Sequence, residues 1–469
     1  MIEFNPLKLA SLDQERFLRY QANLDFYNGH QWRASDSRGK DRTLVINYAK
    51  ATILKLTSYL LLGLNFPCYS PDGSEAAEKK VARAESILAK VYDQNNLAEL
   101  DWETELDTAI LGDGCYKVFW DAKKKIIRVV TPDVRGLYAW WLGDDLSSVW
   151  RVAVRYQLTK DEVSILYGKD FHKNKLWVVE VWTDNRFELY LDNELFDAKP
   201  NPYGFIPFVL FPNLREPKQF WGVSDVPALM ETQRELNRSL SQLSHILEVS
   251  GNPITVLENV EAGREIKVQP GAVWTLPEDA KAYLLDLLKG GGVRLHIDYI
   301  NLIYRCLHDL SEIPRAAFGG IEKELSGTAL SIELQSLIQK VVRKRLIRTS
   351  SYHRRTEMIL SLAQQFLKED LTGISHKVVW APILPADVIR KAQSEQLLVT
   401  VGVHSRRTAM DEMGVKDPNL EFDKWLEERA RIRQQNIELP TPSTRGGPIT
   451  RALESAMVDD NSLENLEEV

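Results

Sequence analysis

Seven cationic side chains lie between Lys340 and Arg355 with no acid among them: Lys340, Arg343, Lys344, Arg345, Arg348, Arg354 and Arg355. Guanidinium and ammonium groups at this density bind phosphates or pair with carboxylates. On a helix Lys340, Lys344 and Arg348 share one face at four-residue steps, whereas Arg343 and Arg345 point elsewhere. The cluster therefore reads in two ways. It is a solvated helix paired with acidic neighbours, or a set of phosphate or subunit–subunit contacts centred on Lys340, Lys344 and Arg348.

Other candidate chemistry is thinner. Asp144-Asp145 offers the paired carboxylates of a two-metal nuclease, but a solvated turn between Trp141 and Val149 is the better reading. The eight histidines make no HxH, HExxH or HxxxH pair, so no metal site is expected. Gly290-Gly291-Gly292 precedes a helical pattern, yet no GxxxxGK[ST] loop occurs, and a hinge is the simpler account. There is no GxSxG elbow, and no cysteine has a recognisable basic partner. The three cysteines, Cys68, Cys115 and Cys306, are scattered and lack CxxC spacing, which points to a reducing compartment rather than disulfides or zinc. No catalytic residue, metal or cofactor is expected.

The elements that must position these residues fall into an α+β pattern. The 469 residues, 44% apolar and 27% charged, allow two or three folded domains. The net charge of −7 leaves only local contact with nucleic acid. No basic-then-apolar leader opens the chain. The most apolar run, Ala51–Phe66, is shorter than the roughly 20 residues a bilayer requires and contains Lys55, so no membrane contact is expected. A helix opens at Ser11, which with Gln14 resembles a capping box, and carries Phe17, Tyr20, Leu24 and Tyr27 on one face. Helices follow at about Asn47–Leu64 and Glu75–Asn95, and another, capped by Asp101, ends at Leu111-Gly112-Asp113-Gly114. The period then changes to two. Strands are expected at Cys115–Trp120, Ile126–Thr131, Val149–Gln157, Leu176–Thr183, Phe187–Leu191 and Ile206–Phe211, in a mostly antiparallel sheet.

Next come helices at Ser224–Leu247 and Gly292–Leu310, flanking short strands at Ile254–Leu257, Glu265–Val268 and Ala272–Thr275. Ser224 or Asp225 would cap the first, with Pro227 in its first turn. A loop, Glu312–Gly327, leads into a long helix, Thr328–Leu367. A strand at His376–Trp380 follows, then helices at Ala386–Gly402, Ser405–Met413 and Glu421–Gln435. Beyond Ile437 the chain reads as a disordered acidic tail.

Several segments in this order resemble the portal proteins of tailed double-stranded DNA bacteriophages, in the branch with separate head-completion proteins. The resemblance covers roughly residues 15–430. It is carried by Tyr27-Asn28-Gly29-His30-Gln31, by Leu111-Gly112-Asp113-Gly114, and by Tyr203-Gly204-Phe205-Ile206-Pro207-Phe208 with Pro212-Asn213. Gly222-Val223-Ser224-Asp225 with Asn237 and Ser241, and Ser326-Gly327-Thr328-Ala329-Leu330, complete it.

The resemblance implies a portal-like fold with an α/β wing (1–223), helical stem (224–250 and 292–311), a small β-containing clip (251–291) and a tunnel loop (312–327). A long wing-crossing helix with a return strand (328–384), a helical crown (385–436) and the acidic tail (437–469) follow. It further implies a homo-oligomer of twelve copies at one capsid vertex of the virion, assembled in the host cytoplasm. Its partners would be transient double-stranded DNA, the terminase large subunit, head-completion or adaptor proteins, scaffold and major capsid protein.

Tunnel-loop candidates are Arg315, Phe318, Glu322, Lys323 and Glu324, with Phe318 packing against a neighbouring loop or touching the duplex. Clip candidates for the motor and adaptors are Arg264, Glu265 and Lys267, which read equally as solvated turn charges. A DNA-processing enzyme, nuclease or NTPase, is the alternative, and no residue supports it. Each neutralised phosphate tightens binding, so a conduit should hold DNA weakly. Twelve copies at −7 each do so on average. Small Ala316, Ala317, Gly319 and Gly320 suggest a compliant collar in which Glu312, Glu322 and Glu324 offset Arg315 and Lys323. DNA packaging assayed on Gly319→Pro and Arg315→Ala proteins should be impaired; normal packaging by both would remove the compliant-collar reading.

Overall fold

The computed structural model describes residues 4–434, apart from 33–42, 73, 169–171, 252–254, 259–278, 280, 285–291, 320–326, 384–387 and 416–417. The chain divides into two compact units, Met1–Leu384 and Pro385–Val469.

In the first unit, α1 (Gln14–Tyr27), α2 (Tyr48–Leu60), α3 (Glu75–Asn95) and α4 (Leu97–Leu111) precede the sheets. Ser11 does not cap α1. It closes a short 3-10 turn, Pro6–Ser11, by donating its hydroxyl to the Lys8 carbonyl, and α1 starts after Asp13 in a left-handed conformation. Asn47 caps α2 by accepting from the Lys50 N–H, and Ser74 caps α3 by accepting from the Ala77 N–H. Asp101 is not a cap either. It lies inside α4, whose N-cap position is Asn96, and it is buried.

Two short strands, β1 (Leu64–Asn65) and β2 (Cys68–Tyr69), lie between α2 and α3. After α4 come β3 (Asp113–Asp121), β4 (Ile126–Val130), β5 (Leu137–Leu142) and β6 (Asp145–Thr159). The helix α5 (Lys160–Tyr167), with a complete capping box between Thr159 and Glu162, leads into β7 (Lys175–Trp182), β8 (Arg186–Leu191), β9 (Glu194–Pro200) and β10 (Phe208–Pro212). β5, α5 and β9 were not legible in the sequence. β5 and β9 are the edge strands of the five-stranded antiparallel sheet β5-β6-β7-β8-β9, and edges need less regular alternation because one side meets no partner strand. A second sheet, β10-β3-β4, is also antiparallel.

Alternation explains how the five-stranded sheet is covered on both faces. Val152 and Val154 of β6 and Val178 of β7 enter one core with Tyr20, Phe26, Ile53 and Ala109 of the helices. Ala153, Val179 and Val181 enter another, covered by Phe4 and Leu9 of the N-terminal segment. A separate core joins α3 and the three-stranded sheet to the last long helix of this unit. Each fully buried Val, Leu, Ile or Phe contributes roughly 1.5–3 kcal/mol.

The chain continues through α6 (Pro227–Gly251), β11 (Thr255–Glu258) paired antiparallel with β12 (Lys281–Leu284), and α7 (Gly292–Ser311). The expected strands at 265–268 and 272–275 lie outside the described residues. A 3-10 turn, Arg315–Phe318, precedes α8 (Gly327–Glu333) and α9 (Gln335–Phe366). The single long helix expected over 328–367 is thus interrupted by a turn at Leu334, leaving 32 residues in α9, about 48 Å. β13 (Ser375–His376) pairs with β2, and β14 (Val379–Trp380) with β1.

The second unit has α10 (Val388–Thr400), α11 (Arg406–Glu412) and α12 (Pro418–Gln434). In it Ser405 caps α11, His404 meets Glu395 at 2.9 Å, and Arg406 stacks over Trp425 at 4.5 Å.

Two glycines mark where backbones meet. A Cβ on Gly222 would lie 2.4 Å from the Gly112 carbonyl oxygen and 2.9 Å from the Asn213 nitrogen. Gly112 itself has φ +115°, which disfavours any side chain. Gly222→Ala should therefore cost about 1–3 kcal/mol as overpacking against backbone, measurable by denaturant unfolding. Unchanged stability would mean that this approach relaxes freely.

Candidate functional site

The cationic run of α9 points inward. Lys340, Lys344, Arg345, Arg348 and Arg355 are all buried, while Arg343 and Arg354 stay outside. Repetition at three- and four-residue steps gives α9 a charged stripe in its middle and apolar stripes, Leu337 and Val341 or Ile359, Leu362 and Ala363, towards its ends. A buried cation without a partner is prohibitively costly, so each must meet an acceptor.

The acceptors come from the segments that α9 crosses. Asp225, just before α6, receives Lys344 at 2.5 Å on one oxygen and Lys340 at 2.9 Å on the other. Lys344 also donates to the Asn213 side-chain oxygen at 2.5 Å. Arg348 forks onto Glu105 of α4 at 2.7 and 2.8 Å and donates to the Pro212 and Asn213 carbonyls. Arg355 forks onto Asp101, which also accepts from the Tyr116 hydroxyl, and its guanidinium lies over the Tyr116 and Tyr352 rings. Arg345 donates to the carbonyls of Tyr59 and Leu60, which the end of α2 leaves without helical partners, and to that of Leu62 just beyond it.

Electrostatics follow from this packing. Burial alone would raise the Asp225 carboxyl, but Lys344 and Lys340 hold it well below the ordinary carboxylate range. Burial lowers the Lys344 ammonium despite Asp225 and Glu105 beside it. Burial would likewise lower Arg348 and Arg355; Glu105 and Asp101 respectively outweigh it and raise both.

The reading of Lys340, Lys344 and Arg348 as phosphate or subunit contacts is therefore corrected. At 6%, 0% and 1% exposure they have no surface to offer another molecule, and carboxylates and carbonyls of the same chain already occupy their donors. The acidic neighbours of the other reading exist, but the pairs are dry rather than solvated. Asp225 and Asn213 belong to stretches that carry the family resemblance; Glu105 has no local signal, because its partner is 243 residues away.

The same helix grips the entry to the 312–327 loop. Lys340 donates to the Ser311 carbonyl at 3.0 Å. Arg343 donates through one nitrogen, Nη2, to both oxygens of the Glu312 carboxylate at 2.6 and 2.7 Å. His308 Nδ1 lies 2.7 Å from the Ile313 carbonyl; since a carbonyl only accepts, the proton sits on Nδ1. Ala317 is buried with Ile313, Leu56, Leu60, Leu337 and Val341, and Ala316 and Phe318 pack against them.

Phe318 meets His308 edge-on at 5.7 Å and lies under Lys55 within its own chain. Arg315 is exposed. Glu312 is taken by Arg343, so it does not offset Arg315. Gly319 has φ +84°, which proline cannot adopt, so Gly319→Pro breaks this turn as well as stiffening it. Glu322, Lys323 and Glu324 of the loop, and Arg264, Glu265 and Lys267, lie outside the described residues.

A second polar joint ties α6 to the N-terminal helices. Asn237 donates to the Gln31 side chain at 2.6 Å and accepts from the Ile46 N–H. Ser241 accepts from the Leu44 N–H, and Gln233 from the Ala49 N–H. Gln31, Asn237 and Ser241, which the sequence singled out separately, converge here.

Beside the pinned loop entry, α7 carries a second apolar face. Leu295, Tyr299, Leu302, Cys306 and Leu310 recur at helical spacing and are exposed, while Ile303 and Leu307 face α6. Asp145 accepts from its neighbour Ser147 in an exposed turn. Among the described residues no group of three His, Cys, Asp or Glu is placed to hold a metal ion, and no helix is long and apolar enough to cross a membrane.

The first unit is thus a mixed α+β body in which buried ion pairs and hydrogen bonds hold a helical pair and a loop entry. A family model described as Phage portal protein, SPP1 Gp6-like matches residues 8–435, and the chain belongs to that family of phage portal proteins. No curated protein matches the chain. Membership makes it a DNA-packaging, head–tail connector component of the virion capsid, of a structural family that forms homo-oligomeric rings and meets capsid and terminase.

Arg348→Met should destabilise the protein by about 3–5 kcal/mol, because Glu105 is left buried and unpaired. Adding Glu105→Gln should recover much of that loss. Denaturant unfolding of the single and double variants would measure both, and additive losses would contradict a mutual pair.

Proposed function

We propose that this chain is the portal subunit at one capsid vertex, twelve copies of which form the channel for double-stranded DNA packaging and ejection. In this reading 1–223 is the wing, α6 and α7 are the stem, and 251–291 is the clip that meets the terminase large subunit and head-completion proteins. Residues 312–327 are the tunnel loop and 385–436 the crown. Scaffold and major capsid protein meet the outside of the ring, which assembles in the host cytoplasm. Arg315 is the described loop residue proposed to face DNA; Glu322, Lys323 and Glu324 complete the set. Arg264, Glu265 and Lys267 remain the proposed clip contacts.

The observation that carries this reading is the exposed face of α7. Leu295, at 72% exposure, and Leu302, at 51%, have no reason to sit in water on an isolated subunit. In a head-to-tail ring each copy covers the stem of the next, and the contact closes on itself. A separate ATPase would drive the DNA through this conduit.

Wild-type protein should form a closed ring with a central hole by negative-stain microscopy. Leu295→Glu with Leu302→Glu should shift it to monomers by light scattering while leaving the subunit's thermal unfolding nearly unchanged. A wild-type monomer with metal- or ATP-dependent DNA turnover would instead support an enzyme.

A further inference from the structure

Three successive residues at the exit of α7 are each held by a different side chain. Ser311 is held through its carbonyl by Lys340, Glu312 through its carboxylate by Arg343, and Ile313 through its carbonyl by His308. Glu312 takes φ +57°, an unfavourable conformation for a branchless but β-carbon-bearing residue, and one that persists only where its surroundings enforce it. Pro314 then fixes the backbone into the 3-10 turn, whose Ala317 is buried. Lys340 does more than hold one carbonyl. Its ammonium also sits 2.9 Å from Asp225, so one group ties the exit of α7 to the segment that starts α6.

We propose that residues 311–318 form a rigid pedestal and that Lys340 is its positioning residue, fixing the entry to the loop to both α9 and the start of α6. Any displacement of the loop then begins no earlier than Gly319, and a shift of α6 relative to α9 reaches the pedestal through the Asp225–Lys340 pair. Ala316 and Ala317 are small because they are packed, not because the backbone moves there. The functional meaning rests on reading 312–327 as the channel-lining loop, but the pedestal itself does not.

Lys344 supplies the control. It meets the other oxygen of the same carboxylate and makes no contact with Ser311, so removing either lysine costs Asp225 one partner. Hydrogen exchange on the full-length protein would read the amides of Glu312, Ile313, Ala317 and Gly319, all donors in this segment. Lys340→Met should speed exchange there at least tenfold relative to Lys344→Met, and Lys340→Arg should restore most of the protection. Equal acceleration in both methionine variants, or none in either, would overturn the proposal. Should Lys340→Met fail to fold, Arg343→Gln decides on an exposed pair. Exchange at Glu312 and Ile313 should rise about threefold, and no change would overturn the pedestal. A monomer with the same exchange pattern would keep the pedestal while refuting the channel reading.

Discussion

Asp225 holding two lysines of α9 is the contact on which much of the first unit depends. A carboxylate and two ammonium groups away from water are tolerable only if the backbone around them stays put, since losing the carboxylate leaves two buried cations without their counter-charge. The carboxylate is placed by backbone contacts: its N–H donates to the Ala109 carbonyl, and Ser224 donates to the same oxygen. Gly112 and Gly222 allow those strands of chain to meet, because a side chain at either would collide. Sequence, turn geometry and electrostatics therefore converge on one place, where α4, β3, α6 and α9 come together.

That arrangement gives a physical reason for the charge of α9. An apolar helix of this length would slide more easily along its neighbours, because dispersion contacts are not directional. Bidentate arginine pairs fix register as well as distance. Arg348 on Glu105 and Arg355 on Asp101 pin α9 to α4 at two points two turns apart, while Arg345 caps the end of α2. The loop entry then inherits its position from a helix that is itself fixed. A channel subunit exposed to a moving polyanion gains from holding its cations inside, where they do not grip phosphate.

Much of the fold was legible because period and punctuation agreed. α3 lies over Glu75–Asn95 as its amphipathic spacing requires, and β3, β4, β7 and β8 lie near their expected limits. The edge strands β5 and β9 were missed because half their surface meets no strand, so their pattern is irregular. Asp101 was misplaced because a helix-capping residue and a buried ion-pair partner look alike in sequence. The basic run misled in the same way: helical spacing places Lys340, Lys344 and Arg348 on one face but does not say whether that face is wet. Their carboxylate partners lie more than 100 residues away, and only the tertiary fold joins them. Phe318 and the two alanines before it were legible as a loop but not as a packed turn.

In the proposed ring the 312–327 loop faces the channel from an entry held by α9. An electron cryo-microscopy map of the assembled protein with DNA in the channel tests it most directly. The expected result is a closed ring with Arg315 facing the axis and with Lys340 and Lys344 inward against Asp225. A ring whose 312–327 segments face away from the axis, or whose lysines turn outward onto phosphate or a neighbouring subunit, would contradict it.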